Sequence, residues 1–159
     1  MGASMQYTEY DSHTCSVART LEVLGDRWTL LVLRDVFNGV YRFDELQRHL
    51  AVARDVLTKR LATLVKEGVI ERVAYQEPGA RRRFEYRLTQ AGRELRPVFL
   101  ALIEWGDRHR GDGSGPPAFV THVGCGAPVH VVVECTEGHR VDAATPLRSV
   151  PGPGARRLA

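Results

Sequence analysis

Residues 54–88 read RDVLTKRLATLVKEGVIERVAYQEPGARRRFEYRL, and the fold turns on a change of period inside that stretch. Over about 54–67, Leu57, Leu61, Leu64 and Val65 recur at the spacing of one helix face. Asp55, Lys59, Ala62, Thr63 and Lys66 point the other way, with Thr58 on the flank, and Glu67-Gly68 is a helix stop. The period then drops to two. Val69 to Gln76 reads as a strand with Val69, Val73 and Tyr75 on one face. Arg83 to Leu88 alternates, with Phe84, Tyr86 and Leu88 expected inward and Arg83, Glu85 and Arg87 outward. Between the strands, Glu77-Pro78-Gly79-Ala80-Arg81-Arg82 is a turn with a basic tip.

Upstream, three shorter helices are expected. Val17, Leu21 and Leu24 stand at helical spacing before Gly25. Asp26 can cap a second helix carrying Trp28, Leu31 and Val32, which Phe37-Asn38-Gly39 closes. Phe43, Leu46 and Leu50 mark a third, with Asp44 and Glu45 favourable in its first turn. Downstream, Thr89 is an N-cap for a long helix over about 90–109, striped by Leu95, Val98, Phe99, Leu102 and Trp105. Pro97 within it predicts a kink. Helices followed by a two-stranded hairpin are the plan of a winged helix. The third and fourth helices then form the helix-turn-helix, the fourth enters the major groove, and the hairpin is the wing.

The rest of the chain divides by composition. The reading gives residues 1–14 as a flexible arm, 15–110 as the winged-helix domain and 111–117 as a linker. It gives 118–145 as a small β-rich appendage around His130–Val133, and 146–159 as an irregular Pro/Gly/Arg-rich tail. The fold class expected is α+β, with a long C-terminal dimerisation helix.

The 159 residues are 43% hydrophobic and 26% charged, enough for one core and too balanced for global disorder. No run of 18 apolar residues predicts a membrane span, and the polar N-terminus does not read as a signal peptide. Three scattered cysteines argue against a secreted disulfide scaffold and for a reducing, cytoplasmic setting. The net charge of +3 hides an uneven distribution, because residues 46–96 hold 12 basic and 6 acidic side chains. Twenty of the 22 basic residues are Arg, which suits forked contacts to phosphate and guanine, although GC-rich coding alone accounts for much of that ratio. A charged helix face is ordinarily a solvated face, and an arginine-rich turn is as often plain surface. Both features joined in this order, across the period change, point to DNA. Candidate contacts are Arg54, Thr58, Lys59 and Arg60 at the groove, and Arg81, Arg82 and Arg83 from the wing.

Further residues carry a resemblance. These are Cys15, Leu24-Gly25-Asp26-Arg27-Trp28-Thr29-Leu30-Leu31, Leu33-Arg34 and Arg42-Phe43-Asp44-Glu45-Leu46. They continue with Leu57-Thr58-Lys59-Arg60-Leu61, Leu64 to Ile70, Glu85 to Arg93, and Trp105-Gly106. Over about residues 15–109 the chain resembles the HxlR-type transcriptional regulators, relatives of the MarR group. The resemblance implies a dimeric bacterial DNA-binding protein, not an enzyme, whose first and last helices build the dimer. It implies a near-palindromic operator and a cytoplasmic, nucleoid-associated protein. One departure is Ala53, where the family commonly has a capping Ser, so the cap of the fourth helix is weak or passes elsewhere. Asp55 suits the positive helix terminus better than a cytosine contact.

Two clusters read as inputs. Cys15 stands just before the first helix, where a thiolate is favoured. The resemblance implies an electrophile or oxidant sensor there, and the alternative is a small buried residue. His122-x2-Cys125 and Cys135-x3-His139 flank the valine run, and a hairpin that brought the pairs together would hold a structural zinc. Unbound thiols or a Cys125–Cys135 disulfide are the other readings. A small-molecule effector is expected as well, with no residue marking its pocket. The rival to DNA binding is a winged helix that docks protein.

Overall fold

The computed structural model describes residues 5–158. Its helices are α1 (Ser16–Leu24), α2 (Arg27–Phe37), α3 (Phe43–Leu50), α4 (Arg54–Lys66), α5 (Gln90–Arg93) and α6 (Arg96–Arg110). Its strands are β1 (Ile70–Tyr75), β2 (Arg83–Leu88), β3 (Val133–Glu134) and β4 (Arg140–Val141). The chain forms two compact units: residues up to Arg93 together with those from Arg148 onward, and Glu94–Leu147. These differ from the division expected from composition. Helix α6 groups with the appendage, where the Glu104 carboxylate accepts a hydrogen bond from the Val131 N–H at 2.7 Å.

In the first unit, the helical stripes converge as their spacing dictates. Val32, Leu33 and Val36 of α2, Leu46 of α3, and Leu57, Leu61 and Leu64 of α4 lose essentially all contact with water. Each such side chain contributes about 1.5–3 kcal/mol relative to exposure. Asp26 caps α2 by accepting from the Trp28 N–H at 2.8 Å. The turn between α3 and α4 begins at Ala51, left-handed at φ 49°. Strands β1 and β2 pair antiparallel from Ile70↔Leu88 to Tyr75↔Arg83. Chain from the α2–α3 connection joins their edge, through an Arg42↔Glu85 bridge and a 2.8 Å bond from the Tyr86 N–H to the Tyr41 carbonyl.

Three expectations need correction. Phe84 is 42% exposed rather than inward, while Glu85 is half-buried. A two-stranded ribbon has water on both faces, so alternation alone does not choose an inside. The long helix over 90–109 is interrupted at Glu94-Leu95, leaving Pro97 in the first turn of α6 instead of its interior. Proline lacks an N–H and crowds the carbonyl four residues back, so the break falls just ahead of it. Thr89 does cap, accepting from the Gly92 N–H at 3.1 Å. Gly92 is obligatory, since a Cβ there would lie 2.1 Å from the Val69 carbonyl oxygen.

The third correction concerns the ends of the chain. The described part of the arm is not loose. It forms two 3-10 turns (Tyr7–Glu9 and Ser12–Thr14), and the tail pairs with it. The Met5 N–H donates to Ser149 at 2.8 Å, Asp11 to Arg156 at 2.9 Å, and the Leu158 N–H to Glu9 at 2.9 Å. Arg157 adds an ion pair to Glu9 at 3.3 Å. Backbone bonds hold this pairing, and backbone bonds leave no hydrophobic pattern to read.

Candidate nucleic-acid interface

Ala53 occupies the N-cap of α4 and gives no side-chain cap, as its lack of an acceptor requires. Asp55 stands in the first turn, where a negative charge offsets the positive helix end. Arg54, Thr58 and Lys59 are all exposed: Lys59 faces away from the buried leucines, Thr58 lies on the flank, and Arg54 is open as the first residue of the helix. The Arg54 guanidinium lies 4.9 Å from the centre of the Phe43 ring, a stack that limits its rotamers. Thr58 donates its hydroxyl to the Arg54 carbonyl at 2.7 Å, which leaves its oxygen available only as an acceptor.

Arg60 departs from expectation. Its guanidinium meets the Asp26 carboxylate at 3.0 Å and is mostly buried. Asp26 therefore caps α2 with one oxygen and fastens α4 with the other. The spacing is the reason: Arg60 sits next to Leu61 on the edge of the buried stripe, within reach of the start of α2. It is a structural tie rather than a groove contact.

The wing carries Arg81, Arg82 and Arg83 into solvent. Its tip is closed by a 3.0 Å bond from the Ala80 N–H to the Glu77 carbonyl, with Gly79 at φ 75°. Arg72 lies 4.2 Å and Arg82 6.0 Å from the centre of the exposed Phe84 ring. Other cations are already matched. Arg42 pairs with Glu77 at 2.8 Å, and Arg87 pairs with Glu85 at 2.8 Å while stacking 3.5 Å from the centre of the Tyr41 ring. The structure thus separates arginines that hold the fold from cations that face outward.

Sequence reasoning missed Asp35. It is 2% exposed and receives both Nε (2.9 Å) and Nη2 (2.7 Å) of Arg34. It also accepts from Nδ1 of His49 at 2.6 Å. This carboxylate fastens α2 to α3, the first helix of the helix-turn-helix. The available signal was a single acid between Leu33 and Val36 on the buried side of an amphipathic helix.

Cys15 is the N-cap residue of α1 and is half-buried, without a side-chain capping bond. The N–H groups of Ala18 and Val17 nevertheless hold its thiol below the ordinary value, with Arg19 adding a smaller effect. In the second unit, Nδ1 of His122 stands 3.3 Å from Sγ of Cys125, and Sγ of Cys135 stands 3.5 Å from Nδ1 of His139. The expected convergence of all four is not formed. Among the described residues, no three His, Cys, Asp or Glu side chains gather as a metal group. Each pair has its own turn, one closed by the Thr121↔Pro128 bridge and the other by β3–β4.

A buried three-helix core, an exposed cationic helix and an arginine-tipped wing define a helix-turn-helix transcriptional regulator of the DNA-binding class. The sequence profile of the HxlR-like helix-turn-helix family matches residues 23–113, and the chain belongs to that family. Its relatives are regulators, not enzymes. An uncharacterised HTH-type transcriptional regulator of Mycobacterium tuberculosis is 42% identical over 139 residues, covering 87% of each chain. The crystal structure of PA1607, a candidate transcription factor, is similar at a TM-score of 0.73 and 35% identity, covering 86% of this chain and 98% of that one. The redox regulator HypR in its reduced form gives a TM-score of 0.53 at 31% identity, covering 59% of this chain and 92% of that one. The first two likenesses are too long to end with the winged helix, so they include part of the C-terminal extension. No helix among the described residues is long and apolar enough to cross a membrane.

Proposed function

We propose that the protein acts as a homodimer on a near-palindromic operator in the cytoplasm. One α4 enters the major groove of each half-site, and each wing reaches flanking phosphate or minor groove. The observation that carries this reading is the exposure of Lys59 on the face of α4 opposite its buried leucines, with Thr58 exposed on the flank and Arg54 exposed in the first turn. Arg81, Arg82 and Arg83 supply the sequence-independent attraction. Dimerisation is supported by the stripe of α6, where Val98, Leu102 and Trp105 remain 46%, 48% and 59% exposed in the single chain. Val17 and Leu21 of α1 are likewise 66% and 55% exposed. Such apolar faces are characteristic of surfaces that a partner covers.

Signals enter by two routes in this reading. The thiol of Cys15, already favoured as thiolate, reacts with an electrophile or oxidant. A small effector occupies a cavity of about 360 Å³ within the second unit, lined by Leu100, Ile103, Phe119 and Val129 with Glu104 and Asp107.

The test is duplex binding on an operator recovered by selection from a random pool. Lys59→Ala should lose about ten-fold or more in affinity for the selected site. Replacing Arg81, Arg82 and Arg83 by Ala should weaken selected and random duplexes alike, and reduce the salt slope by about 0.9 for each lost phosphate contact. Absence of any duplex affinity, with salt-insensitive binding to a protein partner, would support the protein-docking alternative instead.

A further inference from the structure

Along β1 and β2, successive side chains alternate between the two faces of the ribbon. One face carries Ile70, Arg72 and Ala74 beside Leu88, Tyr86 and Phe84, by the register Ile70↔Leu88, Arg72↔Tyr86 and Ala74↔Phe84. At the base of the wing this face is core, with Ile70 1% exposed. Further out it leaves the core, and both Arg72 and Phe84 are open to water.

The two faces treat their cations differently. On the face that carries Tyr75, Glu85 and Arg87, the cations are neutralised. Arg87 pairs with Glu85 at 2.8 Å. Arg42, 4.6 Å from the centre of the Tyr75 ring, pairs with Glu77 at 2.8 Å. On the Phe84 face a ring takes the place of the carboxylate. The Arg72 guanidinium lies over the Phe84 ring at 4.2 Å from its centre, and that of Arg82 stands 6.0 Å from the same centre. Among the described residues, neither forms an ion pair with Asp or Glu. The register explains the reach. Phe84 is the diagonal neighbour of Arg72 across the ribbon, and Ala74, directly opposite Phe84, is too small to cover the ring.

A single exposed Phe is ordinary. Its company here is not, because two like charges drawn to one ring repel each other until an anion arrives. A guanidinium lying over a ring uses its face for the stack, and the five N–H donors on its edge stay free. Those donors match the oxygens of a phosphate.

We propose, on the footing that the wing meets duplex DNA, that Arg72 is a further phosphate contact and that Phe84 positions it. The ring holds Arg72 and Arg82 ready for one stretch of the DNA backbone. The wing then grips along its strand as well as at the Arg81–Arg83 tip. Phe84 itself touches no phosphate. It acts by ordering the guanidiniums before binding, which lowers the rotamer freedom lost in the complex.

The experiment uses the full chain and two readouts. Without DNA, the Arg72 Nε–H resonance of ¹⁵N-labelled protein should show a ring-current shift that vanishes in Phe84→Leu and persists in Phe84→Tyr. With DNA, binding to the selected operator and to random duplex is measured across a range of salt. Arg72→Ala should weaken both duplexes alike and reduce the salt slope by about 0.9. Phe84→Leu removes no charge, yet should weaken both by about two- to five-fold, and Phe84→Tyr should restore them. In an Arg72→Ala background, Phe84→Leu should cost much less than it does alone. Unchanged affinity and slope in Arg72→Ala overturn the contact. The positioning role is overturned if Phe84→Leu binds as the wild type does, or loses as much without Arg72 as with it. Loss of heparin binding with duplex binding intact would assign the pair to another polyanion, and overturns the proposal too. A wild-type chain with no duplex affinity removes the DNA reading and this contact together. A wild-type chain that binds, with these variants silent, removes the contact alone.

Discussion

In α2, α3 and α4 the side chains of Leu33, Leu46, Leu57, Leu61 and Leu64 are withdrawn from water, whereas between Gly111 and Leu147 no side chain is. The first region is specified by volume and period, and its order survives in any arrangement that keeps the leucines together. The second is specified by turns, glycines and donor atoms, and its order depends on a few local bonds. The two regions should therefore answer differently to the same perturbation. Removing methylenes should damage one, and removing donors the other. Their roles divide accordingly: the first is a packed platform that carries Lys59 and the wing, and the second is an extension held by local turns.

The largest contrast is in packing. Leu61→Ala should cost about 2–5 kcal/mol in urea unfolding followed by helical circular dichroism. Val133→Ala, in the exposed strand β3, should stay within about 0.5 kcal/mol. A cost above about 2 kcal/mol for Val133→Ala would mean that the extension has a core of its own, and the contrast would collapse.

A second comparison sets neighbouring residues of α4 against each other. Asp26→Ala removes the α2 cap and the partner of Arg60 together, and should cost about 1–2 kcal/mol. Arg60→Ala should lower stability by about 1 kcal/mol while the ratio of operator to random-duplex affinity holds. Lys59→Ala should do the reverse, losing operator affinity with stability unchanged. If Arg60→Ala altered the sequence preference at constant stability, the tie to Asp26 would not be its role.

How much of this could be read in advance follows the same division. The stripes of α2, α3 and α4 were legible because a one-sided core imposes a period on every residue of the helix. The outward Lys59 was legible as the complement of that stripe, and Arg81–Arg83 as the basic tip of a Pro-Gly turn. Asp35 and Arg60 were not, because their partners His49 and Asp26 become neighbours only after the helices cross. Phe84 misled because a ribbon has no obligatory inside. The pairing of tail with arm was illegible for a further reason. The Met5 N–H donates to the carbonyl of Ser149, far along the chain, and backbone bonds that join such distant segments leave nothing periodic in either.

The smallest effect concerns Cys15, where geometry and chemistry can be separated. Its thiol sits at the start of α1, and the Ala18 and Val17 N–H groups lower its pKa in the folded protein. A group depressed on folding favours the native state above its unfolded pKa, and that contribution fades as pH falls through the folded value. The window therefore lies on the acid side of the ordinary thiol pKa, and its influence on stability is slight because water reaches the half-buried thiol. Reactivity reports the shift more directly. The pH midpoint of alkylation of Cys15, in a chain whose Cys125 and Cys135 are replaced by Ser, should fall below that of the same thiol in urea. A proline at Val17 is tolerated sterically in the first turn of α1 but removes one of the two N–H groups, so Val17→Pro should move the midpoint part of the way back. If the native and urea midpoints coincide, the helix start does not activate the thiol. Any response to oxidants would then have to come from the exposed sulfurs of the extension, the region held by donors rather than by a core.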